Sequence, residues 1–306
     1  MQIGLFGLGR MGIQIAERLQ KNNFDVLAWN RSVGPRKEFQ DTGGKVFASE
    51  VDLINFLTGQ PRIIWIMLPH AIMDEFLLGN SGLVKLLKAG DIVIDGGNSF
   101  YKDSIRRGKQ LNDAGIIFYD IGTSGGVWGL ERGFALMAGG PKEHWPMVEP
   151  IVKVLSSGEN YGLVGPTGSG HFVKMVHNGI EYGMMEAIAE GYAVLKASKF
   201  SLDLAQVSKI YQTGSVVSSW LIDLTRNIFE KENIEKTSGF IDSTGEGEWT
   251  VKTAEELGID VRVIKDSFAV RQESQDPVHQ NKFSNKIVSL LRKQFGGHAV
   301  KSDDRE

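Results

Sequence analysis

No cysteine occurs in the 306 residues, so disulfides, thiolate nucleophiles, zinc fingers and iron–sulfur clusters are excluded, and a reducing compartment fits. Proline is scarce as well, at 8. Neither sign of charge dominates: 34 basic against 37 acidic residues leave a formal net charge of -3, which gives no general electrostatic reason to bind nucleic acid. Long apolar runs are also missing, and the longest, Ile63 to Leu68, is far too short to span a bilayer. The amino terminus opens on Gln2-Ile3-Gly4-Leu5-Phe6 with no basic segment ahead of an apolar one, so a cytoplasmic location without membrane attachment is expected. What the chain does have is glycine, 37 residues or about 12% against a usual value near 7%, which points to tight backbone turns. Hydrophobic residues at 42% and charged residues at 23% fit a soluble globular protein.

Up to about residue 165, short apolar runs alternate with amphipathic stretches: Ile3 to Phe6, Val26 to Trp29, Ile63 to Leu68, Ile92 to Ile94 and Ile116 to Tyr119. Runs of this length, spaced widely enough for helices, predict parallel strands joined by crossovers, a doubly wound Rossmann-type α/β domain over 1–165. After Pro166-Thr167-Gly168-Ser169-Gly170 the character changes. One long linking helix is expected from about His171 to Ala197, despite three internal glycines. Ser201-Leu202-Asp203 then supplies a helix start, and amphipathic segments run to Phe295 with breaks at Thr237 to Gly247 and Gln275 to Pro277. The second domain, 166–306, is therefore predicted to be all-α, with Lys301 to Glu306 frayed.

Gly7-Leu8-Gly9-Arg10-Met11-Gly12 fits G-x-G-x-x-G where that spacing has a mechanical meaning, directly after a strand and opening a helix over Met11 to Gln20. The first glycine permits the tight turn, the second lets backbone approach a pyrophosphate, and the third lets helix and strand pack closely. A protein kinase also has a glycine-rich loop, but its catalytic-loop and metal-binding motifs are absent. NAD sites usually place a carboxylate at the end of the second strand to hold the ribose 2′-hydroxyl. Here that position reads Asn30-Arg31-Ser32. Nothing there repels a 2′-phosphate, and Arg31 can pair with one, with Arg36 and Lys37 close behind, so NADP is expected in preference to NAD. The other reading of Arg31 is a solvated loop charge.

Two loops follow strand ends, where open α/β sheets hold ligands. Asp95-Gly96-Gly97-Asn98-Ser99 offers Asn98 and Ser99 as hydrogen-bonding groups, and Asn98 is a candidate for both cofactor and substrate. Gly122-Thr123-Ser124-Gly125-Gly126 offers Ser124, Gly125 and Gly126, whose successive N–H groups can form an anion-binding concavity. On the long helix, Lys174, His177, Asn178 and Glu181 are spaced i, i+3, i+4 and i+7. Lys174 and Glu181 then differ by only about 20° in azimuth and about 10.5 Å along the axis, with Asn178 between them. A base, an amide and an acid in line suit proton removal at one atom and delivery at another. The alternatives are a solvated face and, for His177, a structural histidine.

Together these residues resemble the decarboxylating 6-phosphogluconate dehydrogenases of the β-hydroxyacid dehydrogenase superfamily, in their short form. The resemblance rests on Lys174-Met175-Val176-His177-Asn178-Gly179-Ile180-Glu181-Tyr182, Asp95-Gly96-Gly97-Asn98-Ser99, Ser124-Gly125-Gly126 and Arg292-Lys293-Gln294-Phe295-Gly296-Gly297-His298. It implies a metal-free oxidation of 6-phosphogluconate at C3 by NAD(P), loss of C1 as carbon dioxide, and release of ribulose 5-phosphate. Lys174 would be the base and Glu181 the acid, with His177, Asn178, Tyr182, Arg271, Arg292 and His298 on the substrate. It further implies a homo-oligomer, dimer or tetramer, with Arg292 and His298 near a neighbouring subunit's site. One departure stands out: the long form's lysine-bearing loop is replaced by Ser243-Thr244-Gly245-Glu246-Gly247-Glu248-Trp249-Thr250, so the two carboxylates point away or the phosphate is held elsewhere. A non-phosphorylated small hydroxy acid and a non-catalytic NADPH-binding protein are the remaining alternatives. The 3-hydroxyisobutyrate dehydrogenases typically carry Asn-Asn where this chain has His177-Asn178.

Overall fold

Ile63-Ile64-Trp65-Ile66 explains the first half of the molecule, because alternate residues of a strand face opposite sides and all four are apolar and buried. Ile63 and Trp65 join one core with Ile3, Leu5, Ile92 and Ile94. Ile64 and Ile66 join another on the opposite face with Phe6, Leu27, Val93 and Phe118. A sheet buried on both faces needs helices on both faces, and that is the architecture found. The computed structural model describes residues 1–242 and 245–302. The chain divides into two compact units, Met1–Met175 and Val176–Glu306.

In the first unit the strands are β1 (Gln2–Phe6), β2 (Asp25–Trp29), β3 (Lys45–Val46), β4 (Ile63–Ile66), β5 (Ile92–Asp95), β6 (Ile117–Ser124), β7 (Phe134–Gly139) and β8 (Ser156–Gly165). They form one sheet in the order β3-β2-β1-β4-β5-β6-β7-β8, parallel throughout except for the antiparallel β6–β7 pair. The order reverses between β1 and β4, and loops at the carboxyl ends beside such a switch point form the ligand crevice of open α/β sheets. Between the strands lie α1 (Arg10–Lys21), α2 (Val33–Asp41), α3 (Glu50–Phe56), α4 (Met73–Leu78), α5 (Tyr101–Asp113), α6 (Gly129–Arg132) and α7 (Trp145–Leu155). All five predicted strands are present. The sequence reading missed β3, β7 and β8.

α8 (Ser169–Ala197) begins in the first unit and continues into the second, starting two residues before the predicted His171. The second unit adds α9 (Leu204–Tyr211), α10 (Trp220–Lys231), α11 (Glu246–Glu256), α12 (Arg262–Glu273) and α13 (Phe283–Gly296), as the all-α expectation required. Its core joins Tyr182, Met185 and Ala189 of α8 to Leu221, Leu224 and Ile228 of α10 and to Ile287, Val288, Leu290 and Leu291 of α13. The tail differs from expectation. Lys301 and Ser302 are not frayed: Ser238 N donates to Lys301 O at 2.9 Å, Thr237 bridges Ser302, and the Lys301 ammonium lies 3.4 Å from the Phe240 ring centre. Residues 303–306, the rest of the predicted frayed end, lie outside the described residues.

Candidate active site

The fingerprint loop shows why three glycines stand at these positions. Gly7 has φ +102°, and a side chain there would meet the Met67 carbonyl oxygen at 2.4 Å. At Gly12 an added Cβ would fall 2.0 Å from the Gly7 carbonyl oxygen, so helix and strand touch there through bare backbone. Gly9 is different: nothing lies within 4 Å of its missing Cβ, which leaves an open approach at the amino end of α1, where pyrophosphate is favoured by the helix dipole and its unpaired amides. Asn30 has a positive role beyond its lack of charge. Its carboxamide oxygen accepts from Leu8 N at 3.0 Å and its nitrogen donates to Ser32 O at 3.2 Å, so it braces the loop against the end of β2. Arg10, Arg31 and Ser32 are exposed and Met11 is half-buried. Arg36, expected near a 2′-phosphate, is engaged otherwise, its guanidinium donating to Phe47 O at 3.1 Å and Ala48 O at 3.3 Å.

The two substrate loops are tied to each other. Asn98, in the left-handed region at φ +54°, accepts from Thr123 N at 2.8 Å and donates to Thr123 O at 3.1 Å. Its carboxamide retains one N–H and one lone pair for a ligand. Ser99 does not offer its hydroxyl outward: it is buried and donates to Asp95 Oδ2 at 2.8 Å. Gly125 and Gly126 hold φ +135° and +56°, backbone that favours glycine, and Ser124 is half-buried at the end of β6.

On α8, Lys174 is 6% and Asn178 8% exposed, so this stripe is not the solvated face that spacing alone left open. His177 Nδ1 lies 2.9 Å from Asn178 Oδ1 and 4.0 Å from Glu181 Oε2, which makes that ring nitrogen the donor to the amide oxygen. In the second unit the Arg271 guanidinium lies over the Tyr182 ring, 3.1 Å from its centre. Both are buried, and Tyr182 Oη and Arg271 Nη2 have no hydrogen-bond partner among the described residues. Burial, and then the repulsion of Arg292, lowers the Arg271 pKa to about 10, while Tyr182, Glu181 and Glu186 act in the opposite direction. Arg292 is likewise lowered by burial, against the charges of Tyr182, Asp242, Glu181 and Glu246. Arg292 therefore lies in its own chain's Tyr182–Glu181 neighbourhood. Two buried guanidinium groups with a buried phenol beside them make a cluster of donors suited to an anion.

The substituted loop resolves into two cases. Glu248 turns outward to Lys252, at 2.6 Å on the exposed side of α11, whereas the charge of Glu246 acts on Arg292. Ser243 and Thr244 lie outside the described residues. His298 is half-buried beyond the left-handed Gly297 that ends α13. Among the described residues no cluster of side chains has the makings of a metal site, and no helix is long and apolar enough to cross a membrane. Sequence reasoning missed Asp120 and His171, whose only signals were an acid inside the apolar strand β6 and a histidine one turn before Lys174.

Comparison with known proteins agrees with this geometry from end to end. Residues 2–165 match the family described as the NAD binding domain of 6-phosphogluconate dehydrogenase. Residues 170–305 match the 6-phosphogluconate dehydrogenase C-terminal domain. A Bacillus subtilis protein provisionally named a 6-phosphogluconate dehydrogenase is 42% identical over 301 residues, 98% of this chain and 99% of that one. The Haloferax volcanii NAD(+)-dependent decarboxylating 6-phosphogluconate dehydrogenase is 36% identical over 307 residues, covering 99% of this chain and 100% of its own. Among solved structures, Plasmodium falciparum 6-phosphogluconate dehydrogenase, determined free, with NADP+ and with 6-phosphogluconate, superposes with TM-score 0.82 at 29% identity, over 95% of this chain and 70% of that one. With both halves matched in order by one family, and relatives of the same length matched throughout, the chain belongs to the 6-phosphogluconate dehydrogenase family.

Proposed function

We propose that this protein oxidatively decarboxylates 6-phosphogluconate to ribulose 5-phosphate and carbon dioxide, with NADP+ preferred over NAD+. The observation that carries the reading is the row of buried Lys174, buried Asn178 and half-buried Glu181 along one unbroken helix, in a chain whose first unit has a dinucleotide fingerprint with an open Gly9. Nicotinamide, when bound, supplies the hydride acceptor for C3. Neutral Lys174 takes the C3 hydroxyl proton as the C3 hydride leaves. In the 3-keto acid that results, the carbonyl accepts the electrons freed when the C1–C2 bond breaks, and protonated Lys174 stabilises the oxygen of the enol. Glu181 then delivers a proton to the former C2, which becomes C1 of ribulose 5-phosphate. Lys174 is 6% exposed, so its amine lies away from bulk water.

Tyr182, Arg271 and Arg292, with His298, would hold the phosphate, and the outward turn of Glu248 removes one objection to it. Asn98, Ser124, Gly125 and Gly126 would orient the sugar acid, while Gly7 to Gly12, Asn30, Arg31 and Ser32 would hold the cofactor. A cytoplasmic homo-oligomer remains part of the proposal. Ile180, Met184 and Val194 are exposed along α8, an apolar row suited to a second copy. Absorbance at 340 nm, followed with NAD+ and NADP+ in parallel and with 6-phosphogluconate and gluconate as substrates, tests the reading. Reduction with 6-phosphogluconate, together with stoichiometric release of labelled C1, is the expected result. Turnover of gluconate alone would move the assignment to a non-phosphorylated acid, and no turnover of any hydroxy acid would leave a binding protein.

A further inference from the structure

Two acids stand side by side on neighbouring strands: Asp95, the last residue of β5, pairs in register with Asp120 in the middle of β6, and both are wholly buried. Asp95 is accounted for by its own loop, accepting from Gly97 N at 3.0 Å and Ser99 Oγ at 2.8 Å, with Arg107 Nη1 of α5 at 3.7 Å. Asp120 serves a different element. Its two carboxylate oxygens accept from Gly168 N at 2.6 Å and His171 N at 2.8 Å, one amide just ahead of α8 and one in its first turn. His171 is itself buried, with Nδ1 at 2.7 Å from Ser104 Oγ of α5. A cap of this kind usually comes from the residue that precedes the helix, which stabilises the helix but leaves its location free. Here the cap comes from a strand 48 residues away, so it fixes where the helix starts relative to the sheet.

The seat is correspondingly close. A Cβ on Gly170 would fall 2.2 Å from Asp120 O and 2.5 Å from Met137 O, and one on Gly122 would fall 2.3 Å from Lys174 Cβ. Lys174 follows His171 by three residues, a rise of about 4.5 Å along a stiff helix, so any displacement of the start passes to the lysine almost undiminished.

We propose that Asp120 is a positioning residue for Lys174, holding the start of α8 by two backbone amides so that the lysine stands over Gly122 of β6. The proposal rests on Lys174 being the base. An acid is required in place of an amide because both amides present N–H donors, and only a carboxylate offers two acceptor oxygens. The facing charged groups are Asp95 from β5 with Arg107 of α5 behind it, and His171 from α8. Burial pushes the Asp120 carboxyl up to about 6, against the pull of His171 and the two amides. Below that pH one acceptor becomes a donor, and the hold on α8 weakens.

The test compares wild type with Asp120→Asn at pH 7.5. Asparagine leaves one acceptor and sets an N–H donor against the other amide. The expected result is a folded variant that binds NADP+ with unchanged affinity and has a substrate KM within threefold of wild type, but a kcat at least tenfold lower. Hydrogen exchange in peptides covering 166–174 should be at least tenfold faster in the variant. Wild type itself should lose protection in that segment between pH 7.5 and pH 5, after correction for intrinsic exchange, a readout that stands even where the variant fails to fold. A kcat within twofold of wild type, unchanged protection at either pH, or equal losses in melting temperature, cofactor affinity and kcat would overturn the proposal. Because exchange is read without substrate, a wild type inactive on 6-phosphogluconate would sink the reading of the reaction while the hold of Asp120 is still measured.

Discussion

Glu186 of α8 is a carboxylic acid at 7% exposure whose pKa is pushed up to about 7, first by burial and then by the charge of Glu190, with Arg271 and Lys282 pulling the other way. A carboxyl raised in the folded state contributes its full stability below its ordinary range, and that contribution is lost as pH rises through the raised value. Glu186→Gln should therefore match wild type in melting temperature at pH 4 and exceed it at pH 8. The gain should be about 1 to 2 kcal/mol. Equal gains at both pH values would remove ionisation as the cause. Lys174→Met should lower kcat by about 10² to 10⁴, with cofactor binding nearly unchanged, as measured by single-turnover kinetics. Arg31→Ala should raise the KM for NADP+ about tenfold or more and leave that for NAD+ within twofold, since Arg36 is tied to Phe47 and Ala48 and cannot substitute. Lys174, Asn178 and Glu181 were legible in the sequence because helical spacing alone aligns them. Asp120 was not, because the amides it serves are 48 and 51 residues away, a proximity no local pattern encodes.

At the scale of elements, the glycines of α8 separate contact from tolerance. Gly179 has Thr250 at 2.7 Å from its missing Cβ and Gly183 has Val263 at 3.2 Å, so both record close packing of α11 and α12, while nothing lies within 4 Å at Gly191. Gly191→Ala should raise stability by about 0.5 to 1 kcal/mol, the ordinary gain of alanine over glycine inside a helix. On the strand below the lysine, Gly122→Ala should cost about 1 to 3 kcal/mol and lower kcat at least tenfold, since its methyl would overlap Lys174 Cβ. Calorimetry and turnover on the two variants check the contrast. The strands that could be read from sequence are those buried on both faces, which appear as continuous apolar runs. β3 is only two residues long at the sheet edge. In β8 only Ser156 is buried, so ten residues of strand carry no apolar signature. β7 has the alternation of a strand but ends in glycine, with Gly139 and Gly140 reading as a turn.

For the whole molecule, the carboxyl-terminal segment has two roles that must be separated. It carries Arg292 and His298, and its Lys301 carbonyl and ammonium hold Ser238 and Phe240. Removing residues 298–306 should lower both melting temperature and turnover, whereas His298→Ala should lower turnover at unchanged melting temperature. A truncation that melts like wild type would show that the Phe240 contacts contribute nothing. The sequence legibly divided the chain into a sheet domain and a helical one, because the spacing of apolar residues changes near Gly168. The burial of Arg292 beside Tyr182 was invisible, because it depends on how α13 packs within its own unit. The Arg36 guanidinium is held by the Phe47 and Ala48 carbonyls. With that cation occupied, the recognition of a 2′-phosphate proposed above falls to the exposed Arg31, with exposed Lys37 behind it. On that proposal a substitution at one exposed position would shift coenzyme choice while leaving α8 untouched, and the family includes both an NAD+-dependent enzyme and one whose structure was determined with NADP+.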